Sequence, residues 1–183
     1  ETDSLRVWAE LCGQGGTVLD IGGYTGLFSI SAALLGCMVI AFEPMPVNAE
    51  RFRENAKANK VFGEIALHEM AVADRIGQTT ITYNPKVPFT SGASLIRKKG
   101  WKLPIQVTTI DALDLDQVTA IKIDVERGEP EVLAGARETL KRCRPALLVE
   151  VLDDVRRKAV LEAVQGYEIA AELDVRNWLL LPC

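Results

Sequence analysis

The sequence predicts a three-layer α/β/α fold around a mostly parallel sheet, and three observations carry that prediction. Short apolar runs alternate with segments of helical period through most of the chain. Glycine, proline and acidic residues punctuate the ends of those runs, where strands of a parallel sheet hand over to helices. The last two apolar runs follow one another closely, as an antiparallel hairpin at the sheet edge would.

Taken in order, TVLDI (17–21) reads as a strand, LFSISAALLGC (27–37) as a helix, MVIAFE (38–43) as a strand and PVNAERFRENAKANK (46–60) as a helix. Gly26 precedes the first helix, Gly36 ends it, and Pro46 stands in the first turn of the second. In that second helix Phe52 and Ala56, four apart, mark the buried side, with Arg51, Arg53, Glu54 and Lys57 toward water. EIALHEMAV (64–72) is expected as one strand, and GQTTITYN (77–84) as a half-exposed extra strand. Residues 85–104, with three prolines and two glycines, are expected as a functional loop before IQVTTID (105–111) restarts a strand. DALDLDQ (111–117) reads as a turn or short helix. TAIKIDV, EPEVLAGARETLKRC, PALLVEVL and DDVRRKAVLEAVQG then give strand, helix, strand, helix, and YEIAAEL with NWLLLPC form the closing hairpin. One domain spanning 1–183 accounts for the pattern.

Composition limits the function classes. The net charge of −4 and the lack of a long Lys/Arg run argue against nucleic acid as the main partner; Arg97, Lys98, Lys99 and Lys102 make the most basic stretch. Cys12, Cys37, Cys143 and Cys183 have no zinc-like spacing, and His68 is the one histidine. Free thiols in a reducing compartment are expected, and with no signal-like start or apolar run of membrane-spanning length, a cytoplasmic protein without a membrane partner. Oligomeric state is not encoded in any pattern of the chain.

In an open parallel sheet, ligands bind beyond the carboxyl ends of the strands. Three such ends carry chemistry: Asp20 to Gly26, Glu43, and Asp124 to Glu129. Gly22, Gly23 and Gly26 permit a tight turn and a close backbone approach, and the helix after them presents N–H groups to an anion. Glu43, at the end of the next strand, suits the two hydroxyls of a ribose. The order Asp20-Ile21-Gly22-Gly23-Tyr24-Thr25-Gly26 lacks the dinucleotide spacing and sets a carboxylate before the glycines. That carboxylate repels phosphate and suits the cationic amino end of S-adenosylmethionine, directly or through water. NAD on a related fold is the rival donor, and a catalytically silent nucleoside-binding domain is a third reading.

These residues, with Phe42-Glu43-Pro44, Asn48, Asn55, Thr109-Ile110-Asp111 and Ile121-Lys122-Ile123-Asp124-Val125-Glu126 followed by Gly128-Glu129, resemble the FkbM family of class I methyltransferases over nearly the whole chain. The resemblance implies a Rossmann-like fold and methyl transfer from S-adenosylmethionine to a hydroxyl of a sugar, glycan or natural product. By position it implies Gly22 and Gly23 at the methionine part, Tyr24 at the pocket mouth, Glu43 at the ribose, and Met70 to Val72, with Met70 and Ala71 foremost, at the adenine. The chain departs from the family at Arg127-Gly128, where two glycines are common, and at Val151-Leu152, where a histidine often follows the glutamate.

For catalysis, Asp124 at its strand end is the expected proton acceptor, with helix capping as its structural alternative. Glu150, ending PALLVE, is the second candidate. Glu126 and Glu129 are expected to cap the same helix or contact the acceptor. His68 is expected inside a strand, half exposed. Phe89 to Ser94 are a candidate lid, and Trp101 is expected to anchor the loop. No metal is expected; Asp124, Glu126 and Glu150 would make an oxygen-ligand set only if the fold drew all three together.

Overall fold

A computed structural model describes residues 2–84, 100–174 and 176–183. The chain opens with helix α1 (Thr2–Cys12), which the sequence reading omitted. Its buried residues Ser4, Val7, Trp8 and Cys12 recur at helical spacing, so the signal was there in a short segment. Strand β1 (Gly16–Ile21), helix α2 (Leu27–Leu34), strand β2 (Cys37–Phe42) and helix α3 (Pro46–Ala58) follow as expected. Phe52 and Ala56 are fully buried on the inner side of α3.

The expected single strand 64–72 is two. Strand β3 (Ile65–His68) pairs with β2, the chain bends at Glu69 and Met70, and β4 (Ala71–Val72) joins a different sheet. That second sheet has the order β4-β6-β5, with β5 (Gly77–Tyr83) and β6 (Trp101–Thr108) antiparallel. Hence residues 101–104, expected in the loop, are strand. The candidate lid Phe89 to Ser94 and the basic residues Arg97 to Lys99 lie outside the described residues.

After a short 3-10 turn (Asp111–Leu113) come strand β7 (Ala120–Ile123), helix α4 (Glu129–Ala134), helix α5 (Arg137–Cys143), strand β8 (Ala146–Glu150), helix α6 (Asp154–Ala163), and the hairpin of β9 (Tyr167–Leu173) and β10 (Asn177–Pro182). The expected helix 129–143 breaks at Gly135, which lies so close to the chain after β4 that a Cβ there would be 2.1 Å from the Ala73 carbonyl oxygen. Asp111 supplies the caps at this break, accepting from the Thr139 backbone N–H and hydroxyl, each at 2.8 Å, and from the Glu138 N–H at 3.2 Å.

The main sheet has the order β3-β2-β1-β7-β8-β10-β9, parallel except for β10, which runs antiparallel to both β8 and β9. Strand order reverses between β1 and β7, which makes the carboxyl edge there the topological switch point. One face of the sheet packs Leu19, Ile21, Ile121, Ile123, Leu147 and Val149 with the α4 to α6 side. The other packs Val18, Val39, Ala41, Ala120 and Leu148 against α1, α2 and α3. On this second face the last side chains toward the carboxyl edge are polar: Asp20 of β1 and Lys122 of β7 are in register.

Candidate active site

The glycine turn is stitched to the strands on either side of it. The N–H groups of Gly22 and Gly23 both donate to the Phe42 carbonyl of β2, at 2.9 and 3.0 Å. On the other side the Asp124 N–H donates to the Ile21 carbonyl at 2.9 Å. Gly22 has φ 87°, and a Cβ on it would lie 1.8 Å from the Asp124 carbonyl oxygen, so no side chain fits. Gly26, also left-handed, then starts α2 with no side-chain cap and no acidic residue in the first turn.

Glu43 follows directly on β2 and is 5% exposed. Its Oε2 accepts from the Tyr24 N–H at 2.9 Å, and its Oε1 accepts from the Met45 N–H at 2.9 Å and Asn48 Nδ2 at 3.2 Å. Burial pushes its carboxyl up to about 7; these hydrogen bonds oppose that rise, and the nearby Asp20 adds to it. Tyr24 thereby acquires a role the sequence did not reveal: at φ 48° its backbone, not its side chain, ties the turn to Glu43. Asn55 holds the neighbouring residue, donating from Nδ2 to the Thr25 carbonyl at 2.8 Å.

Asp20 lies beneath the turn and is 2% exposed, and its Oδ2 accepts from the Ser29 hydroxyl at 2.5 Å. Burial raises its pKa, while the Ser29 bond and Lys122 hold it down. Ala71 is buried in β4, and Met70 is partly buried against the core just before it. Asp74 pairs with Arg75 at the surface.

Asp124 stands at the end of β7 and is not a helix cap, since α4 begins at Gly128 without a side-chain cap. Its Oδ2 is 3.2 Å from Nζ of Lys122, a lysine 2% exposed. Glu150 ends β8 beside Asp124; burial first, then the Asp124 charge, pushes its carboxyl up to about 8. Glu129 is buried; its Oε1 accepts from the Arg127 N–H at 2.8 Å, and burial raises its pKa. Glu126 and Arg127 are left-handed in succession, at φ 54° and 83°. The arginine thus occupies a conformation that favours glycine, and Arg156 donates to its carbonyl to hold it.

Two expectations are corrected. His68 ends β3 rather than lying inside it, because the chain bends immediately afterwards; its ring stacks on Phe42 at 5.0 Å and its carbonyl accepts the Glu43 N–H. Trp101, expected in the loop, is instead the first residue of strand β6, paired with Tyr83 and 66% exposed. Lys122 was visible in the sequence as part of a motif but carried no assigned role, because nothing in a strand pattern marks a buried ammonium. Among the described residues no group of three or more His, Cys, Asp or Glu could hold a metal ion.

A seven-stranded, mostly parallel sheet of this order, with glycine turn, strand-end glutamate and strand-end aspartate at its switch point, defines a Rossmann-like class I methyltransferase fold. The family model "Methyltransferase FkbM domain" matches residues 20–178, and the chain belongs to that family. Among solved structures, it is similar to an FkbM methyltransferase from Methylobacillus flagellatus at 19% identity and TM-score 0.65, covering 91% of this chain and 43% of that one. It is also similar to an rRNA methylase from Streptococcus thermophilus (16%, TM-score 0.60, covering 97% and 91%) and a SAM-dependent O-methyltransferase from Thermotoga maritima (10%, TM-score 0.59, covering 99% and 64%). The chain thus spans less than half of the first of these. No curated protein matches the sequence. Among the described residues no helix is long and apolar enough to cross a membrane.

Proposed function

We propose that the chain transfers the methyl group of S-adenosylmethionine to a hydroxyl on a sugar, glycan or other small hydroxylated molecule. The observation that carries this reading is the stitching of the Gly22–Gly26 turn to Glu43 on one side and Asp124 on the other. It supports reading Glu43 as the hydroxyl-binding carboxylate and Asp124 as the proton acceptor, on opposite flanks of the start of α2.

The residues present fit that donor. The N–H groups opening α2 have neither an acidic neighbour nor a side-chain cap, which leaves them for a carboxylate. Glu43 keeps one unused lone pair, on Oε2, for a ribose hydroxyl, since each oxygen of a carboxylate has two and Oε1 already accepts two bonds. Asp20, covered by the turn, would act on the amino group through water. Met70 and Ala71 would line the adenine. When bound, S-adenosylmethionine supplies an electrophilic methyl carbon on a sulfonium. The protein's part is to hold the acceptor oxygen in line with that carbon and to take the hydroxyl proton on Asp124, with Glu150 behind it. As the oxygen–carbon bond forms, the sulfur–carbon bond breaks and its electron pair returns to sulfur.

We take residues 1–183 as one methyltransferase unit, working in the cytoplasm on an acceptor that is neither membrane nor nucleic acid; the net charge of −4 supports the last point. Isothermal titration with S-adenosylhomocysteine is expected to give a micromolar dissociation constant. No heat with that ligand, together with binding of NADH, would overturn the donor. A screen of hydroxylated acceptors by mass should find a gain of one methyl; turnover confined to RNA would overturn the acceptor class.

A further inference from the structure

The polar row at the carboxyl edge holds more than one proton acceptor. Lys122 is almost fully buried on the face shared with α1 and α2, and its Nζ has two neighbours of opposite character: Asp124 Oδ2 at 3.2 Å, and the Phe28 ring, whose centroid is 4.9 Å away. The Phe28 ring is itself fixed, edge-on to Trp8 with centroids 6.1 Å apart, and the Trp8 indole donates to the Phe28 carbonyl at 2.9 Å. An ammonium so enclosed cannot follow solvent, and an unpaired charge there would be costly. Its direction is therefore set by the aromatic wall below and the carboxylate above.

The next strand continues the row. Ile123 of β7 is in register with Val149 of β8, which brings Glu150 level with Asp124 as the next residue on each strand, close enough for the Asp124 charge to act on Glu150. A carboxylate can only accept, so a bond between two carboxyl groups requires one proton between them. Beyond Glu150, Asn177 of β10 is directly opposite it and buried, with an Oδ1 that has no partner among the described residues.

We propose that Lys122 is a positioning residue that holds Asp124 beside Glu150 at the switch point, so that the two carboxyls share one proton. The pair is argued from the register of β7 with β8 and the Lys122–Asp124 contact; its use, taking the proton of an acceptor hydroxyl, rests on the methyl-transfer reading above. Asp124 then accepts that proton with a fixed cation on one side and a hydrogen-bond donor on the other. Both neighbours keep its carboxylate in one orientation between turnovers.

The charged groups around the pair can be enumerated by element. β7 contributes Lys122 and Asp124, β1 contributes Asp20, and the turn after β7 contributes Glu126 and Glu129, the latter with Arg156 of α6 near it. β8 contributes Glu150 and β10 the neutral Asn177. Helix α2, LFSISAAL, carries no ionisable side chain. On α1, Arg6 and Glu10 pair with each other in solvent, and the buried positions are Ser4, Val7, Trp8 and Cys12. Lys122 is thus the cation that offsets the acidic excess at the pair, in line with the downward pull it exerts on Glu150.

The test needs neither donor nor acceptor. Carboxyl carbons are followed by 13C NMR from pH 4 to 10 in the intact protein labelled at Asp and Glu. A carboxyl titrating near 8 is expected, absent from Glu150→Gln. In Lys122→Met that midpoint is expected to rise by about one pH unit, and in Asp124→Asn to fall by a similar amount. No carboxyl of Glu150 titrating above pH 6 overturns the shared proton, and an unmoved midpoint in folded Lys122→Met overturns the role of the lysine. Should Lys122→Met not fold, Asp124→Asn still decides the pair, since an unmoved Glu150 midpoint there refutes it. Failure of S-adenosylhomocysteine to bind would instead strike the functional reading and leave these titrations as they are.

Discussion

Replacing Glu43 with glutamine probes the ribose side of the proposed donor site, and the structure sets the size of the effect. The wild-type carboxylate takes three donors, and glutamine can satisfy those at one oxygen only, so its amide nitrogen would face the Tyr24 N–H now held at 2.9 Å. Losing, in addition, the charge-assisted bond from a ribose hydroxyl to this carboxylate costs about 1.5–3 kcal/mol, or roughly 10- to 150-fold in binding. The carboxyl also titrates at about 7, which adds a pH signature. If a ribose hydroxyl donates to the ionised form, the competent fraction rises from about one-tenth at pH 6 to about nine-tenths at pH 8. Affinity of the wild type for S-adenosylhomocysteine should therefore improve about tenfold over that range, and Glu43→Gln should bind more weakly with a flat profile. Isothermal titration at pH 6, 7 and 8 measures both. A flat wild-type profile with undiminished binding by the variant would refute the ribose assignment. Stability moves in the opposite sense. The folded value lies above the ordinary 4.5, so this contribution is complete below that pH and is lost as pH rises through 7, by about 3 kcal/mol at most. Urea denaturation at pH 5 and 8 reads that loss, which glutamine should abolish.

Two further substitutions test the backbone of the site. Gly22→Ala places a Cβ 1.8 Å from the Asp124 carbonyl at a left-handed φ, so it should lose about 3 kcal/mol or more in urea denaturation; a loss below about 1 kcal/mol would mean the turn is not clamped as described. Arg127→Gly relieves a residue at φ 83° and should gain about 0.5–1 kcal/mol; a loss of similar size would show that the arginine side chain holds the turn more than its backbone strains it.

The main sheet was legible because each of its central strands is apolar and bounded by glycine, proline or a charge. TVLDI, MVIAFE, TAIKIDV and PALLVEVL all became neighbouring strands near their expected limits. What escaped were features decided by contacts distant in sequence. EIALHEMAV is one run to the eye, but Glu69 and Met70 bend it so that Ala71 and Val72 can pair with β6. The helix 129–143 is continuous in pattern, and it breaks at Gly135, which lies close against the Ala73 carbonyl, some sixty residues earlier. At the site, Gly22, Gly23, Glu43 and Asp124 were legible as strand-end chemistry. The burial of Asp20, the backbone role of Tyr24 and the enclosure of Lys122 were not, since each depends on what α2 and the adjacent strands place against it.

The outer sheet has a consequence for how such a chain can diversify. β5 and β6 pair from Gly77 with Val107 to Tyr83 with Trp101, and the sheet is tied to the main body at its other end, where the Asp111 N–H donates to the Gly135 carbonyl. The ladder behaves as a bracket bolted at one end, with the paired Tyr83 and Trp101, between which the chain connects β5 to β6, at the other. Insertions or deletions there need not disturb the register of any strand that bears Gly22, Glu43 or Asp124. Selection can therefore rewrite that connection while the machinery at the switch point stays fixed.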